Sequence, residues 1–228
     1  ETGLIATFHQ ADPTVMFFDT DGTLRRSWTA DVANGHGMVL VKDDAIEHIW
    51  LADNTTGAVI KTTLDGETVM TIGKPDLPIY EDGNYAPTAM TVYEERHGGN
   101  GDIWVTDGYG QSYVHRYTKT GVYVASINGE EGDAGRFDGS HGVFVDTRRS
   151  EPELYITDRS NNRVQVYDLD GNYKRAFGES CLRLPSAFAG DGEVLIIAEL
   201  RASLALMDSE DKLIGRLGEN EAVCDVEG

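Results

Sequence analysis

Basic residues are scarce: 19 Lys and Arg stand against 39 Asp and Glu, for a formal net charge of −20. A surface of that sign repels phosphate backbones and anionic headgroups, so neither nucleic acid nor a membrane surface is an expected partner. Cysteine is scarcer still, with only Cys181 and Cys224. Two thiols cannot form a disulfide framework in a chain this long; they leave one bridge or two free thiols, and the compartment decides between them. No run approaches the roughly 18 apolar residues of a membrane-spanning helix. No signal peptide is recognised, and no stretch of useful length carries the helical period. The apolar share of 40% still suffices for a packed core, which excludes a disordered chain.

What the sequence has instead is a repeat. One short β-forming run ending in an acid recurs four times: Ile49–Asp53, Ile103–Asp107, Leu154–Asp158 and Leu195–Glu199. The spacing of the acids suits one four-stranded propeller blade per repeat. A first strand precedes each run, at 37–41, 89–92, 142–145 and 187–189, and a third strand follows it. Asp65-Gly66, Thr120-Gly121 and Asp170-Gly171 then mark tight turns into a fourth strand. The repeats predict blades over about 33–73, 85–128, 138–178 and 182–218. Residues 8–30 read as the outer strands of a closing blade. The expected architecture is one all-β propeller domain over 1–228, of a six-bladed type with its last blade incomplete; the alternative is a ring closed with five.

The residues entering the four first strands are His36, Thr88, His141 and Ser186, so histidine falls on alternate blades. In a six-bladed ring, histidines two blades apart face inward at about 120°. That is the geometry of a zinc held by His36, His141 and a third histidine expected past Gly228. The structural alternative is that each histidine is a polar residue satisfied by backbone. Tyr109, flanked by Gly108 and Gly110, has the backbone freedom to reach such a metal and act as a base; the alternative is loop packing. His48 and His97 lie in charged stretches between strands and read as solvent-exposed, and His115 reads as cross-strand packing.

The segment Asn161-Asn162-Arg163-Val164-Gln165-Val166-Tyr167 with Asp170-Gly171 resembles an NHL repeat. More closely, the chain from about Phe8 onward resembles the peptidyl-α-hydroxyglycine α-amidating lyases and their bacterial relatives. The resemblance implies a six-bladed propeller holding zinc on three histidines. It also implies cleavage of a carbinolamide C–N bond to give a peptide amide and glyoxylate. It places His36 and His141 on two zinc ligands and Tyr109 on the catalytic tyrosine. Gln10, in Phe8-His9-Gln10-Ala11-Asp12, falls where the family has a catalytic arginine, making it the expected substrate-binding residue but one without the fixed charge. Zinc is the implied cofactor, with calcium a candidate structural ion. The implied partner is a small-molecule or peptide substrate, and the expected location is secreted or periplasmic. The rival reading is a propeller that keeps the fold as a protein- or ligand-binding scaffold.

Overall fold

The computed structural model describes residues 3–43 and 45–218. They form nineteen strands and two short 3-10 turns, Pro78–Tyr80 and Glu95–His97. The chain divides into two compact units, Glu1–Ser126 and Ile127–Gly228.

The first unit contains three antiparallel sheets. β1 (Ile5–Phe8), β2 (Val15–Phe18) and β3 (Leu24–Trp28) form a three-stranded blade. β4 (Gly35–Asp43), β5 (Ile46–Asp53), β6 (Ala58–Thr63) and β7 (Thr68–Ile72) form a four-stranded blade in sequence order, and β8 (Ala89–Val92), β9 (Ile103–Thr106), β10 (Val114–Tyr117) and β11 (Tyr123–Ile127) form another. The second unit contains two four-stranded blades. One is β12 (Ser140–Asp146), β13 (Glu153–Asp158), β14 (Arg163–Tyr167) and β15 (Tyr173–Phe177). The other is β16 (Pro185–Asp191), β17 (Val194–Glu199), β18 (Ser203–Met207) and β19 (Leu213–Leu217).

The described residues thus make an all-β propeller fold of five blades, which corrects the expectation of six. Each of the four full repeats is a four-stranded antiparallel sheet, and His48 lies buried within β5 rather than exposed between strands. The N-terminal piece is a blade of its own, because Ile5 to Phe8 pair with Phe18 to Val15. That strand is four residues long and no turn signal introduces it, so its sequence did not announce it.

Burial follows the repeat. The second strand of each blade is its most deeply buried: Ile49, Leu51, Ile103, Trp104, Leu154, Ile156, Leu195 and Ile197 are at most 1% exposed. In the first unit Trp50, Val59, Met90, Val105 and Tyr117 share a core cluster, and in the second Tyr155, Val164, Val166, Ile197 and Met207 do so. Each second strand carries apolar residues on both faces because it packs between its own sheet neighbours and adjacent blades.

The recurring acid is the clamp of each repeat. Asp53 accepts hydrogen bonds from the N–H groups of Ala33 (2.7 Å) and Asn34 (3.1 Å). Asp107 does the same for Ala86 (2.7 Å), Asp158 for Asp138 (2.8 Å) and Glu199 for Arg183 (2.7 Å). The end of each second strand is thereby tied to the chain just before the first strand. The carboxylate satisfies backbone donors that no ladder reaches. The last blade uses the longer glutamate in the same place. The turns behave as the sequence requires: Gly22, Gly66, Gly121 and Gly171 all have φ between +79° and +92°. In the last blade Asp211 takes that place with φ +63°.

Candidate functional site

His36 and His141 sit inside the first strands, not just before them. In β4 the pairing with β5 shifts between Gly35 and Met38, and in β12 the pairing with β13 shifts between Ser140 and Val143. A bulge at each place re-aims the side chain out of the pleat. The same shift occurs in β16 between Pro185 and Ala187, at Ser186.

Both rings then make the same bond. His36 Nδ1 lies 2.8 Å from the carbonyl oxygen of Thr88, and His141 Nδ1 lies 2.8 Å from that of Ser186. A carbonyl only accepts, so Nδ1 carries the proton in each ring and Nε2 keeps its lone pair. The following glycine serves the same joint. A Cβ on Gly37 would meet Thr88 O at 2.5 Å, and one on Gly142 would meet Ser186 O at 2.6 Å. The His-Gly pair therefore lets one blade's first strand approach the next blade closely and bonds the two together.

In the first unit His36 Nε2 faces Tyr109. The phenol oxygen is 3.3 Å away and the rings meet edge to face, with centroids 5.1 Å apart. Tyr109 is 44% exposed and His36 half-buried, so solvent reaches the pair. Tyr109 lies in the loop between β9 and β10. Its N–H donates to Ala86 O at 3.4 Å, and Gly110 and Ser112 donate to Asp107 O at 3.2 and 3.0 Å. Gln111 N–H donates to the Asp107 carboxylate at 2.7 Å. A Cβ on Gly110 would collide with that carboxylate, so the second glycine beside Tyr109 is required by space.

Gln10 is exposed in the loop between β1 and β2. The loop reaches the same end of the sheets as His36, because the Phe8 ring packs against the backbone of Gly35. His9 Nδ1 accepts the Ala11 N–H at 3.2 Å, which turns the chain there.

The ring tautomers of His36 and His141 suit metal ligation, since a ligating histidine commonly donates its other N–H to a carbonyl. The donor count does not suit zinc. Among the described residues no three His, Cys, Asp or Glu side chains gather into a metal-holding group, and the two histidines lie in different units. The described residues by themselves do not complete a zinc site. The expected third histidine, like Cys224, lies outside the described residues; Cys181 is a half-buried thiol whose pKa burial pushes up.

Sequence reasoning missed what stands behind Tyr109. His115 is fully buried and hydrogen-bonded on both ring nitrogens, to Tyr80 OH (2.7 Å) and to Ser126 Oγ (2.7 Å). Tyr80 OH also donates to Asp107 at 2.6 Å. Burial pushes the His115 pKa down to about 4 and pushes the Tyr80 hydroxyl far up. Burial also raises Asp107, against the hydrogen bonds from Gln111, Tyr80 and Ala86. The available signal was the long connection from β7 to β8, residues 73–88, which supplies Tyr80.

No protein-family model matches the chain. NHL repeat-containing protein 3 of Homo sapiens is 28% identical over 224 residues, and that of Mus musculus 27% over 220 residues. Each match covers 88% of this chain, which spans 60% of the length of either relative. Among solved structures, a streptogramin B lyase superposes with a TM-score of 0.68 at 15% identity, covering 95% of this chain and 65% of that one. A protein of unknown function from Bacteroides caccae gives 0.63 at 13%, covering 100% and 76%. Virginiamycin B lyase from Staphylococcus aureus gives 0.62 at 16%, covering 95% and 70%. At these identities the solved structures share the fold alone.

Proposed function

We propose that this chain, an NHL-type β-propeller, is lyase-like and cleaves the C–N bond of a carbinolamide such as a peptidyl α-hydroxyglycine. The observation that carries the reading is the 3.3 Å approach of Tyr109 OH to the lone pair of His36 Nε2 on a solvent-reached edge. The motif resemblance at His36, His141 and Tyr109 and the lyases among proteins of this fold support it.

The chemistry needs a proton taken from the substrate hydroxyl and one returned to the leaving nitrogen. His36 Nε2 accepts the Tyr109 proton, and the Tyr109 oxygen takes the substrate O–H proton. The C–O bond becomes a carbonyl as the C–N pair leaves. The proton on His36 then passes through Tyr109 to the amide nitrogen. The products are an amide and glyoxylate, and both residues return to their starting state. Thr88 O keeps Nδ1 protonated throughout, so only Nε2 exchanges a proton.

The test is glyoxylate release from a peptidyl α-hydroxyglycine by the full chain, against a protein-free control. Release above the control that falls about a hundredfold in Tyr109→Phe supports the reading, since positioned acid–base groups contribute on that scale. Release at the control rate overturns it.

A scaffold reading is favoured by one observation: His36 and His141 make the same inter-strand joint in both units, which is a structural task. The exposed Gln10, uncharged where the resembled family has arginine, agrees with it. Failure of the glyoxylate test would leave this reading in place.

A further inference from the structure

The four repeats are alike enough that their departures can be located, and three of them meet at the loop bearing Tyr109. First, the loop between the acid and its partner on the third strand is longest here. It is 108–112, against 54–57, 159–162 and 200–202 in the other repeats. Second, the partners of the acid change. Asp158 is met by Arg163 at 2.7 Å and Glu199 by Arg216 at 2.8 Å, whereas Asp107 is met by the Tyr80 hydroxyl at 2.6 Å. Third, the third-strand residue two places beyond that partner is Gln165 in the β14 repeat, where its amide donates straight to Asp158 at 3.1 Å. In the Tyr109 repeat it is His115, which reaches the acid through Tyr80.

The hydrogen bonds of this cluster have one consistent direction. The Tyr80 hydroxyl donates to Asp107, so its oxygen accepts from His115 Nε2–H. His115 Nδ1 then accepts from Ser126 Oγ–H at 2.7 Å, and Ser126 Oγ accepts from Tyr123 OH at 2.8 Å. Every donor is used once, which fixes His115 neutral, with its proton on Nε2. The chain of bonds ends on a carboxylate round which residues 107–112 fold. An anion held by successive N–H groups is a rigid support for a loop.

We infer that Tyr80 and His115 are positioning residues: acting through the buried carboxylate of Asp107, they hold the 108–112 loop so that Tyr109 meets His36. The inference rests on the proton role proposed above for that pair, and it adds two residues that touch neither substrate nor the reacting atoms. A role in folding alone would leave the His36–Tyr109 contact unchanged once the protein is folded.

The experiment is NMR of the full chain labelled with 15N-histidine, reading the two ring nitrogens of His36. Tyr109→Phe gives the signature of losing the phenol O–H at Nε2. In Tyr80→Phe and in His115→Gln, the Nε2 resonance should move in the same direction as in Tyr109→Phe, while Nδ1, tied to Thr88, stays in place. Glutamine is the residue the neighbouring repeat uses at this position, so His115→Gln carries the test if Tyr80→Phe does not fold. Folded variants whose His36 Nε2 resonance matches the parent overturn the inference. In a parent that turns over substrate, both variants should lose about a hundredfold in kcat with KM held, the scale of a 1 Å misplacement; an unchanged kcat overturns it equally. A parent without turnover defeats the reaction reading alone, because the resonance of His36 still decides the positioning.

Discussion

The ring Nδ1 of His141 is bonded to the carbonyl oxygen of Ser186 at 2.8 Å, and an added Cβ on the next residue, Gly142, would strike that same oxygen. One backbone oxygen thus explains both members of a His-Gly pair, and Thr88 O does the same for His36 and Gly37.

Replacing the glycines should therefore cost more than replacing the histidines. His36→Ala or His141→Ala removes the partly buried inter-strand hydrogen bond, worth about 1 kcal/mol. Gly37→Ala or Gly142→Ala forces backbone apart and should cost about 2 kcal/mol, within the usual range for overpacking. Urea unfolding midpoints rank the four variants; equal losses would show that the joint is not steric.

Tyr109→Phe should leave stability alone. The side chain is exposed, and exposed substitutions usually shift stability by less than about 0.5 kcal/mol. The Tm should match the parent while glyoxylate release drops. A drop in both would make Tyr109 a packing residue.

Metal content follows from the donor count. With no group of three ligating side chains among the described residues, the dialysed chain should hold zinc substoichiometrically, and His36→Ala with His141→Ala should not change the amount much. One zinc per chain in the parent and none in the double variant, by elemental analysis, would instead reinstate the metal centre.

Acid should weaken the protein in two steps. The buried His115 has its pKa lowered to about 4 from 6.5, so the unfolded chain takes up a proton first as pH falls. Stability is then lost between about pH 6.5 and 4, by about 3 kcal/mol, and levels off below that. Glu153 is opposed by burial, but Arg175 and Lys174 outweigh it and hold the carboxyl down to about 2. Its contribution is present above about pH 4.5 and fades toward 2. Unfolding midpoints against pH, with His115→Gln and Glu153→Gln, separate the two windows; a flat profile above pH 4.5 contradicts the His115 step.

The acid clamp is open to direct test at Asp158. Asp158→Asn keeps the size but strips the charge that faces Arg163 and accepts from Asp138 N–H, Asn161 and Gln165. Arg163 keeps Glu179 as a second carboxylate at 2.9 Å, so the cost is that of unsatisfying buried hydrogen bonds to a charged group, about 1–3 kcal/mol. Loss of under 1 kcal/mol by urea unfolding would show that the carboxylate is not the anchor of its repeat.

The sequence by itself determined the repeats, the strand of apolar residues ending in an acid, and the turns that need positive φ. Those are local matters: a period of two, a glycine after an aspartate, and an acid at a fixed place are written residue by residue. It also placed His36 and Tyr109 among the chemistry-bearing residues, and the fold sets them in contact. Only the tertiary structure decided that the described residues make five blades rather than six, since Ile5–Phe8 becomes a strand by pairing with Val15–Phe18 and not by any strong signal of its own. The same holds for the partners of the histidines. Thr88 and Ser186 contribute carbonyl oxygens, which every residue has, so no side chain could have marked them. His115 looked like cross-strand packing because its bonds run to Tyr80 and Ser126, 35 and 11 residues away along the chain. Hydrogen-bond direction and burial belong to the folded arrangement, and a linear pattern carries neither.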